Sequence, residues 1–600
     1  MNTDKSLAVV DLGGQYCHLI SRRLRDLDVW SDILDADVSP DVLKNYAGVI
    51  LSGGPRSVND KHAPTVDRKI LDLGKPILGI CYGHQLLAKM LGGDVRTGEM
   101  EYGPASLSVL RKDELFEGAN SAISVWMSHT DNVTTLPKGA KTIARTPRCK
   151  NAAFGDFDRK IFGVQFHPEV AHSEFGANLL ANFARRICRI RSKEEIGNQV
   201  EHLIEMVKEK AGKNSVFFFV SGGVDSTVAF ALCARALPKE RLMGVYVDTG
   251  LMRKGETNEF HLMLAARGLS DRLLVRDESR RFLSALAGKH DPEEKRRIIG
   301  QCFVDVQREA MREYGIDEDH WLLGQGTIYP DTIESGGKTG KAALIKTHHN
   351  RCEEIRHLIE KGRVIEPLAD FYKDEVRHLG EALGLDRHLT QRWPFPGPGL
   401  AIRCLCIKGE GSDAQHFKLP KQYSAYEAIS VPISSVGVQG DTRTYRQVVA
   451  IRGPLDFETQ QALSTTICNS DKLHNRVIHL ISARFPDFAG ARAKGNVFID
   501  DARLSTLREA DSIAREVMEA HGLMDSVWQF PVVLIPLTLG NGESIVLRPV
   551  NSQDGMTANF ARIQKDVLKE IGDRILDRLS SVDAVFLDIT DKPPATIEWE

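Results

Sequence analysis

A cysteine at the end of an apolar run is the first residue whose surroundings predict catalysis. Cys81 follows the apolar run Ile77–Ile80 and precedes an amphipathic helical pattern over Gln85–Leu91. Gly79 and Gly83 stand on either side of it, as a sharp strand-to-helix turn requires. The positive end of a helix favours the thiolate, which is the reactive form of cysteine. The pattern predicts a nucleophile, although a G-x-C-x-G match alone also occurs at structural cysteines.

A histidine and a glutamate two residues apart form the second candidate element. His167 and Glu169 stand in the stretch GVQFHPEV, after a short apolar run, and residues two apart in an extended segment project to the same side. We predict that His167 serves as the base for Cys81 while Glu169 orients the imidazole. An isolated His-Pro-Glu is more often a surface loop, so this prediction depends on the cysteine turn. Backbone N–H groups at Gly53 and Gly54 are predicted to form an oxyanion hole.

Together these segments resemble the class I glutamine amidotransferases, whose cysteine motif and His-Pro-Glu motif are both intact here. The resemblance implies that Cys81 attacks the side-chain amide of glutamine, that ammonia leaves as a thioester forms, and that water then releases glutamate. Gln85 lies one helical turn past the cysteine. Two interpretations of Gln85 stay open, a contact with glutamine or a solvated helix residue.

A glycine- and hydroxyl-rich loop forms the second candidate site. It follows the apolar run Ser215–Val220 and precedes the apolar helical stretch TVAFALCARAL. Glycines let the backbone wrap an anion, while hydroxyls and a helix N-terminus supply donors. The P-loop pattern G-x-x-x-x-G-K-[ST] is absent from this loop. The motif SGGVDST resembles that of the ATP pyrophosphatases, which cleave ATP to AMP and pyrophosphate. The predicted ATP-binding residues of the loop are Ser221, Gly222, Gly223, Val224, Asp225, Ser226 and Thr227.

Further residues around this loop are assigned to the same site. Asp225 is the candidate ligand for Mg²⁺ on the phosphates. Asp248 follows the apolar run Leu242–Val247 and is expected to face the adenine end of ATP, because ligands bind at the carboxyl ends of parallel strands. Lys346 is expected to reach the leaving pyrophosphate from a lid segment. The pair His348-His349 indicates zinc only weakly, since no cysteine or second histidine pair stands at ligand spacing, and we expect no structural metal.

Composition limits the class of protein. The chain has 600 residues and a formal net charge of -3, which argues against nucleic acid as a partner. Because one core stops growing near about 250–300 residues, several domains are expected. The first residues, MNTDKSLAVV, do not resemble a signal peptide, and no apolar run is long enough for a membrane span. Ten dispersed cysteines fit reduced thiols, so we expect a cytoplasmic protein.

The order of apolar runs predicts the architecture. We expect an α/β chain with two doubly wound, mainly parallel sheet domains, at residues 1–192 and 193–402, followed by an α+β region at 403–600. The segment PFPGPG cannot be helix or central strand, so it is a stiff loop near the second boundary. In the last region a strand, a helix and a strand occur twice, beginning at Tyr445 and at Ser544. This weak repeat predicts two related lobes, although chance similarity is an alternative.

The pairing of the two motifs, with FPGPGLA, VGVQGD and the final KPPATIEWE, resembles the glutamine-hydrolysing GMP synthases along nearly the whole chain. Composition does not show the acceptor. The resemblance implies that XMP is adenylylated by MgATP and then aminated by ammonia. Matching of motifs places the XMP contacts at Arg296, Asp441, Arg443, Gln529, Lys592 and Glu598.

The oligomeric state and two alternative functions also have to be considered. The C-terminal region is longer than the dimerisation domain of many bacterial members and resembles the two-lobed version found in animals, which predicts a monomer or a weak homodimer. A second enzymatic hypothesis is another ammonia-using adenylating ligase, such as an NAD synthetase or a tRNA-modifying pyrophosphatase. The non-enzymatic hypothesis is an inactive homologue that serves as a binding module. The complete set of Cys81, His167, Glu169 and SGGVDST argues against the last hypothesis.

Overall fold

The computed structural model describes residues 6–14, 16–170, 172–190, 196–317, 319–328, 353–390, 392–439, 442–470, 473–485, 487–552 and 558–600. The chain separates into two compact units, Met1–Glu195 and Ile196–Glu600. Among the described residues, no helix combines the length and the apolar composition that crossing a membrane requires.

The first unit is built on one nine-stranded sheet. Its strands are β1 (Leu7–Asp11), β2 (Ser31–Asp35), β3 (Gly48–Leu51), β4 (Ile77–Ile80), β5 (Asp94–Val109), β6 (Ala122–Thr135), β7 (Lys141–Arg145), β8 (Ala153–Asp156) and β9 (Ile161–Val164). The strand order is β2-β1-β3-β4-β9-β8-β7-β5-β6. Pairs from β2 to β9 are parallel, and pairs from β9 to β6 are antiparallel.

The prediction of a mainly parallel first sheet is therefore wrong for half of that sheet. The long strands β5 and β6 pair as antiparallel neighbours, and such a pair needs no crossover helix. The parallel half agrees with the prediction, and it carries both glutaminase motifs. This half is covered on both faces, since Leu7 and Val9 belong to one apolar cluster and Ala8 and Val10 to another. Burial on both faces explains why the inner strands β1, β3, β4 and β9 are almost continuous apolar runs.

The described residues of the first unit form four α-helices, of which the first two connect parallel strands. They are α1 (Cys17–Asp26), α2 (Pro40–Leu43), α3 (Tyr82–Met90) and α4 (Gly176–Asn182). Helix α3 follows β4 after a single residue and is almost entirely buried. The amphipathic pattern that predicted this helix therefore begins three residues late, because the buried first turn has no polar face.

The second unit begins with an all-parallel sheet. Its strands are β10 (Ser215–Phe219), β11 (Leu242–Asp248), β12 (Leu273–Asp277), β13 (Trp321–Gly324) and β14 (Val364–Ile365). Its helices are α5 (Ile196–Ala211), α6 (Val224–Ala236), α7 (Glu256–Ala266), α8 (Ser279–Leu286), α9 (Pro292–Glu313), α10 (Glu353–Glu360), α11 (Lys373–Ala382) and α12 (Arg387–Thr390). The strand order is β12-β11-β10-β13-β14, and every pair is parallel. The order reverses at β10, whose carboxyl end is the expected place for a ligand.

The rest of the second unit is an α+β region. Its strands are β15 (Ser412–Asp413), β16 (Gln415–His416), β17 (Glu427–Gln439), β18 (Thr442–Arg452), β19 (His474–Ala483), β20 (Arg492–Ala493), β21 (Val532–Ile535), β22 (Leu537–Thr538), β23 (Glu543–Leu547), β24 (Val550–Asn551), β25 (Asn559–Phe560) and β26 (Val582–Asp588). Its helices are α13 (Phe457–Ser470), α14 (Asp501–Ala520) and α15 (Lys565–Arg578). The largest sheet has seven strands in the order β16-β17-β18-β19-β26-β23-β21.

The sequence repeat corresponds to two β-α-β units of this sheet. One unit is β18, α13 and β19, the other is β23, α15 and β26, and the strands within each unit are parallel. Strands β19 and β26 pair antiparallel, so the two units meet at the centre of a single sheet. The two related units therefore share one sheet, which separate lobes would not do.

Candidate functional site

Cys81 occupies the turn between β4 and α3 in a strained backbone conformation, with φ 51° and ψ −103°. Its N–H donates to the carbonyl of Val164 at 2.8 Å, which ties the turn to the end of β9. Glycine is required on both sides. A Cβ on Gly79 would lie 2.4 Å from the carbonyl oxygen of Gly83, and a Cβ on Gly83 would lie 2.3 Å from that of Leu51. The sharp turn that the sequence predicts is present, and such strain is typical of functional sites.

His167 and Glu169 lie beside this turn. His167 Nδ1 is 2.7 Å from Oε1 of Glu169, and both side chains are buried. The side chain of Cys81 also acts on the imidazole and favours its charged form. Burial disfavours the charged imidazolium, but the Glu169 carboxylate and Cys81 outweigh burial and raise the pKa of His167 to about 11. A protonated imidazole beside the sulfur stabilises negative charge on that sulfur.

The two glycines assigned to the oxyanion hole follow β3 and lie at the same end of the sheet. A Cβ on Gly53 would lie 3.4 Å from Cε1 of His167 and 3.8 Å from Cβ of Cys81. A Cβ on Gly54 would lie 3.0 Å from the ring of Tyr82. The backbone at Gly53 therefore borders both the nucleophile and the base.

Gln85 is buried against the same site. Its Nε2 donates to the carbonyl of Asp131 at 2.8 Å and to Oε1 of Gln165 at 3.2 Å. The interpretation of Gln85 as a solvated residue is therefore wrong, because only 4% of it is exposed. Gln165 in turn donates its Nε2 to the sulfur of Cys81 at 3.7 Å. The sequence reasoning missed Gln165, although it stands two residues before His167 and therefore shares its side of an extended segment.

A second buried histidine near the triad was also missed. His129 Nε2 is 3.7 Å from the carboxylate of Glu101, and its Nδ1 is 3.2 Å from the carbonyl oxygen of Asp131. Burial lowers the pKa of His129, although Glu101 acts in the opposite direction. These residues come from β5 and β6, the antiparallel pair that the sequence did not predict.

The phosphate-loop motif occupies the turn between β10 and α6. Gly222 has φ +73°, a conformation that favours glycine. Ser221 Oγ lies 2.9 Å from Ser226 Oγ and accepts the N–H of Gly223 at 3.2 Å. Hydroxyls and backbone N–H groups thus cluster at the N-terminus of an apolar helix, and this arrangement suits a phosphate group.

Two cations line this loop, and the sequence reasoning missed both. Lys373 Nζ lies 3.8 Å from Oδ2 of Asp225. Arg392 donates to the carbonyl of Gly222 and lies 3.1 Å from Glu256. Neither cation belongs to a phosphate-binding motif, and Arg392 lies more than one hundred residues from the loop in sequence. Only the fold brings them to the carboxyl end of β10.

The ends of β11 and β13 complete the surroundings of the loop. A Cβ on Gly326, just after β13, would lie 2.6 Å from the backbone nitrogen of Ser226. Asp248, at the end of β11, accepts the N–H of Gly250 at 2.9 Å and the hydroxyl of Thr257 at 2.6 Å. The carboxylate of Asp248 therefore shapes the turn that follows β11.

The residues assigned to XMP fall into separate groups. Glu598 accepts hydrogen bonds from Arg403 at 3.0 and 2.7 Å and from Gln529 at 3.4 Å, so Gln529 and Glu598 are brought together. Arg296 donates to the backbone oxygen of Glu600, which stands two residues after Glu598.

The backbone of Lys592 forms two hydrogen bonds with that of Ala558. The N–H of Lys592 donates at 2.7 Å, and its carbonyl oxygen accepts at 3.1 Å. Three assigned residues cannot be placed: Lys346 and Asp441 lie outside the described residues, and the side chain of Arg443 is not described. The lid histidines His348 and His349 also lie outside them.

The loop PFPGPG contacts both the turn after β11 and the residues around Glu598. The ring of Phe395 lies 4.5 Å from the guanidinium carbon of Arg253 and 5.2 Å from that of Arg403. The carbonyl oxygen of Pro394 accepts from Gln529 at 3.4 Å. Arg253 follows β11, whereas Arg403 holds Glu598. The predicted stiff loop therefore joins the turn after β11 to the cluster around Glu598.

Family models match three parts of the chain. The model for glutamine amidotransferase class-I matches residues 8–187, the one for NAD synthase matches residues 196–273, and the one for the GMP synthase C terminal domain matches residues 516–599.

Curated relatives match the chain over almost its full length. A probable GMP synthase [glutamine-hydrolyzing] of Leptospira interrogans is 44% identical, with 99% of each chain covered. GMP synthases [glutamine-hydrolyzing] of Caldicellulosiruptor saccharolyticus and Streptomyces coelicolor are 38% and 39% identical, with 99% of this chain and 99% and 98% of theirs covered. With its amidotransferase and phosphate-loop motifs both in place, the chain belongs to the family of glutamine-hydrolysing GMP synthases.

Proposed function

We propose that this chain makes GMP from XMP, ATP and glutamine, with glutamine hydrolysis in the first unit and adenylylation and amination in the second. The observation that carries the proposal is the array of Cys81, His167 and Glu169 in a chain that also holds the complete SGGVDST loop. An inactive homologue would be expected to have lost part of one set.

In the first half-reaction, the sulfur of Cys81 attacks the carbonyl carbon of the glutamine side chain, and the carbonyl oxygen becomes negative. Backbone N–H groups at Gly53 and Gly54 stabilise this oxyanion. His167 gives its proton to the departing nitrogen, so that ammonia leaves and a thioester forms. His167 then takes a proton from water, which cleaves the C–S bond and releases glutamate. Glu169 holds the imidazole in place throughout.

In the second half-reaction, an oxygen of XMP attacks the α-phosphorus of ATP, and pyrophosphate leaves. The loop Ser221–Thr227 holds the pyrophosphate through N–H groups and hydroxyls. Lys373 and Arg392 offset its growing negative charge, and we assign Lys346 to the same task and Asp248 to the adenine end. Ammonia then attacks the activated carbon of adenylyl-XMP, and AMP leaves with the oxygen to give GMP.

Mg²⁺ is the cofactor that this chemistry implies, and the residues fit it. Asp225 offers one carboxylate beside the loop hydroxyls. Among the described residues, no cluster of three or more His, Cys, Asp or Glu could form a cage made only of protein ligands. One carboxylate together with substrate phosphates is the usual setting of Mg²⁺ at nucleotide sites. When bound, Mg²⁺ would neutralise phosphate charge, and Asp225 would be its protein ligand.

We assign XMP to the cluster around Glu598. Gln529 and Glu598 offer an amide and a carboxylate, which suit the polar edge of a purine, whereas cations suit its phosphate. Buried Arg403 fixes Glu598 in place. The residues assigned to XMP are Arg296, Asp441, Arg443, Gln529, Lys592 and Glu598.

We further propose three domains, at residues 1–192, 193–402 and 403–600, and a monomer or weak homodimer in the cytoplasm. Separate sheets support the three domains, although one apolar cluster includes Leu251 and Phe282 together with Leu463 and Leu507. Strands β19 and β26 pair antiparallel, so the two C-terminal units pair with each other within one chain. This pairing supports the proposed monomer or weak homodimer. The nine cysteines that the structure describes are free thiols, as expected in a reducing compartment. Sedimentation at several concentrations tests the oligomeric state. A tight dimer at every concentration would refute the proposed monomer or weak homodimer.

The test of function is a product balance. Glutamine, ATP and XMP should give glutamate, AMP, pyrophosphate and GMP in equal amounts. Cys81→Ala should abolish synthesis from glutamine and leave synthesis from ammonium salts. Loss of both activities in a folded variant would contradict the division between the two units.

A second candidate is another ammonia-using adenylating ligase, because the NAD synthase model matches residues 196–273. That match includes the phosphate loop but not the region assigned to XMP. Pyrophosphate release measured with XMP and with other acceptors distinguishes the two functions. Release that requires a different acceptor would favour the second.

A further inference from the structure

Gln165 contacts the sulfur of the proposed nucleophile. Its Nε2 lies 3.7 Å from Cys81 Sγ, and the glutamine is completely buried. Its backbone N–H donates to the carbonyl of Ala152 at 2.8 Å, so its position is fixed by the sheet. A buried amide that touches a reacting atom is in a position to affect the reaction and the fold.

The hydrogen bonds of Gln85 determine which end of the Gln165 amide faces the sulfur. The carbonyl oxygen of Asp131 can only accept, so the atom of Gln85 that lies 2.8 Å from it is the NH₂ group. That NH₂ group has one more hydrogen to donate, which requires an acceptor at 3.2 Å, and this acceptor is Oε1 of Gln165. The remaining NH₂ group of Gln165 therefore points to Cys81.

This orientation matters most when the sulfur is negative. The thiol of Cys81 can donate to the carbonyl of Ser128, which lies 3.7 Å away. After loss of the proton, that carbonyl oxygen faces a negative sulfur and repels it. An N–H from Gln165 attracts the thiolate from another direction, and hydrogen bonds to charged groups are stronger than those to neutral ones.

We propose that Gln165 is a catalytic residue of the glutaminase site, which donates a hydrogen bond to the thiolate of Cys81, and that Gln85 holds the Gln165 amide in the donating orientation. This inference rests on the proposed role of Cys81 as the nucleophile. It also gives Gln85 a task within the protein.

Other charged groups also act on this sulfur, and the test must separate them from Gln165. His167 interacts electrostatically with Cys81 and is paired with Glu169. His129 of β6, which pairs with Glu101 of β5, acts on His167. Replacing Gln165 by methionine changes none of these groups, keeps the length of the side chain and removes the N–H donor.

The measurement is the alkylation of Cys81 by iodoacetamide as a function of pH, in the full chain, with the modified peptide quantified by mass spectrometry. The pH midpoint reports the thiolate, whereas a change in access alters only the rate. For Gln165→Met we expect the midpoint to rise by about one pH unit. Asn182→Leu is the matched control, because it removes a buried amide of the same unit that bonds to Leu115 and Glu117.

Two further variants keep the inference testable if Gln165→Met does not fold. Gln165→Glu replaces the donor by a carboxylate and should raise the midpoint further. Gln85→Met frees the Gln165 amide to rotate and should raise it by a smaller amount. A midpoint unchanged in every folded Gln165 variant overturns the inference. If Cys81→Ala retains glutamine-dependent synthesis, the proposed function of the site fails instead, and the two failures are therefore distinguishable.

Discussion

Arg403 donates two hydrogen bonds to the carboxylate of Glu598, at 3.0 and 2.7 Å, from a completely buried guanidinium. Two parallel bonds of this kind fix the plane of the carboxylate as well as its position. The ring of Phe395 lies 5.2 Å from the same guanidinium. Glu598 is thus held in a defined orientation by the protein itself.

Replacing Arg403 by lysine should weaken XMP binding. Lysine keeps the charge but cannot form the planar pair of bonds. Since a hydrogen bond to a charged group contributes about 1.5–3 kcal/mol, we expect KM for XMP to rise about 10- to 100-fold. Steady-state kinetics with ammonium salts measure this without the glutaminase. Arg562→Lys, in an exposed pair with Glu458, is the control, and equal KM values in both variants would contradict the role given to Arg403.

Replacing Glu169 by glutamine should slow glutamine hydrolysis and change how stability depends on pH. The folded chain raises the pKa of His167 from 6.5 to about 11. A raised pKa means that the protonated histidine stabilises the fold fully below pH 6.5, and that this contribution is lost as pH rises towards 11.

Calorimetry of the whole chain provides the measurement. Without the Glu169 carboxylate, the variant should unfold at a lower temperature than the unsubstituted chain, and the gap should be largest near about pH 6 and narrow with rising pH. Glutamine-dependent synthesis should fall at least about tenfold while ammonium-dependent synthesis remains. A gap that widens above neutral pH would show that the carboxylate does not support a charged imidazole.

Replacing Gly326 by alanine should damage adenylylation. The new Cβ would lie 2.6 Å from the backbone nitrogen of Ser226, so the phosphate loop must shift. A displacement of about 1 Å at a reacting group can cost on the order of 100-fold in rate. Pyrophosphate release with ATP and XMP measures the loss. Gly397→Ala is the matched control, because no atom lies within 4 Å of the Cβ it would add, and similar rates in both variants would refute the constraint.

Replacing Lys373 by methionine should slow pyrophosphate release. Lys373, the first residue of α11, lies 3.8 Å from Asp225 of the phosphate loop. Removing one charge that stabilises a leaving group typically costs about 100-fold in kcat, and an exposed site should show less, about tenfold. Rapid-quench assays of pyrophosphate measure the step. Lys569→Met removes a lysine paired with Asp573 and should have no effect, so a normal rate in Lys373→Met would exclude its role.

The chemistry of both sites can be predicted from local sequence because each motif is contiguous with the element that positions it. Cys81 stands directly between β4 and α3, with a glycine two residues away on each side. Ser221 to Thr227 likewise lie between β10 and α6. Such a turn depends on residues within one or two helical turns, and those residues are adjacent in the chain.

The partners of these motifs could not be predicted in the same way. Lys373 and Arg392 reach the phosphate loop from more than one hundred residues away. His129 comes from an antiparallel pair whose strands alternate in burial and show no long apolar run. The sequence shows that Gln165 stands two residues before His167. Its proposed role, however, depends on hydrogen bonds that involve Gln85 and Asp131 across the sheet.

The sequence by itself determined the two chemistries, the strands that carry them and the turns that expose Cys81 and Ser221. Only the tertiary structure decided that half of the first sheet is antiparallel, that the two C-terminal β-α-β units share one sheet, and that Gln165 faces the sulfur. The physical reason is the range of the interactions. Turns and helix starts are set by neighbours in the chain, whereas strand pairing and buried hydrogen bonds join residues whose separation in sequence has no fixed pattern.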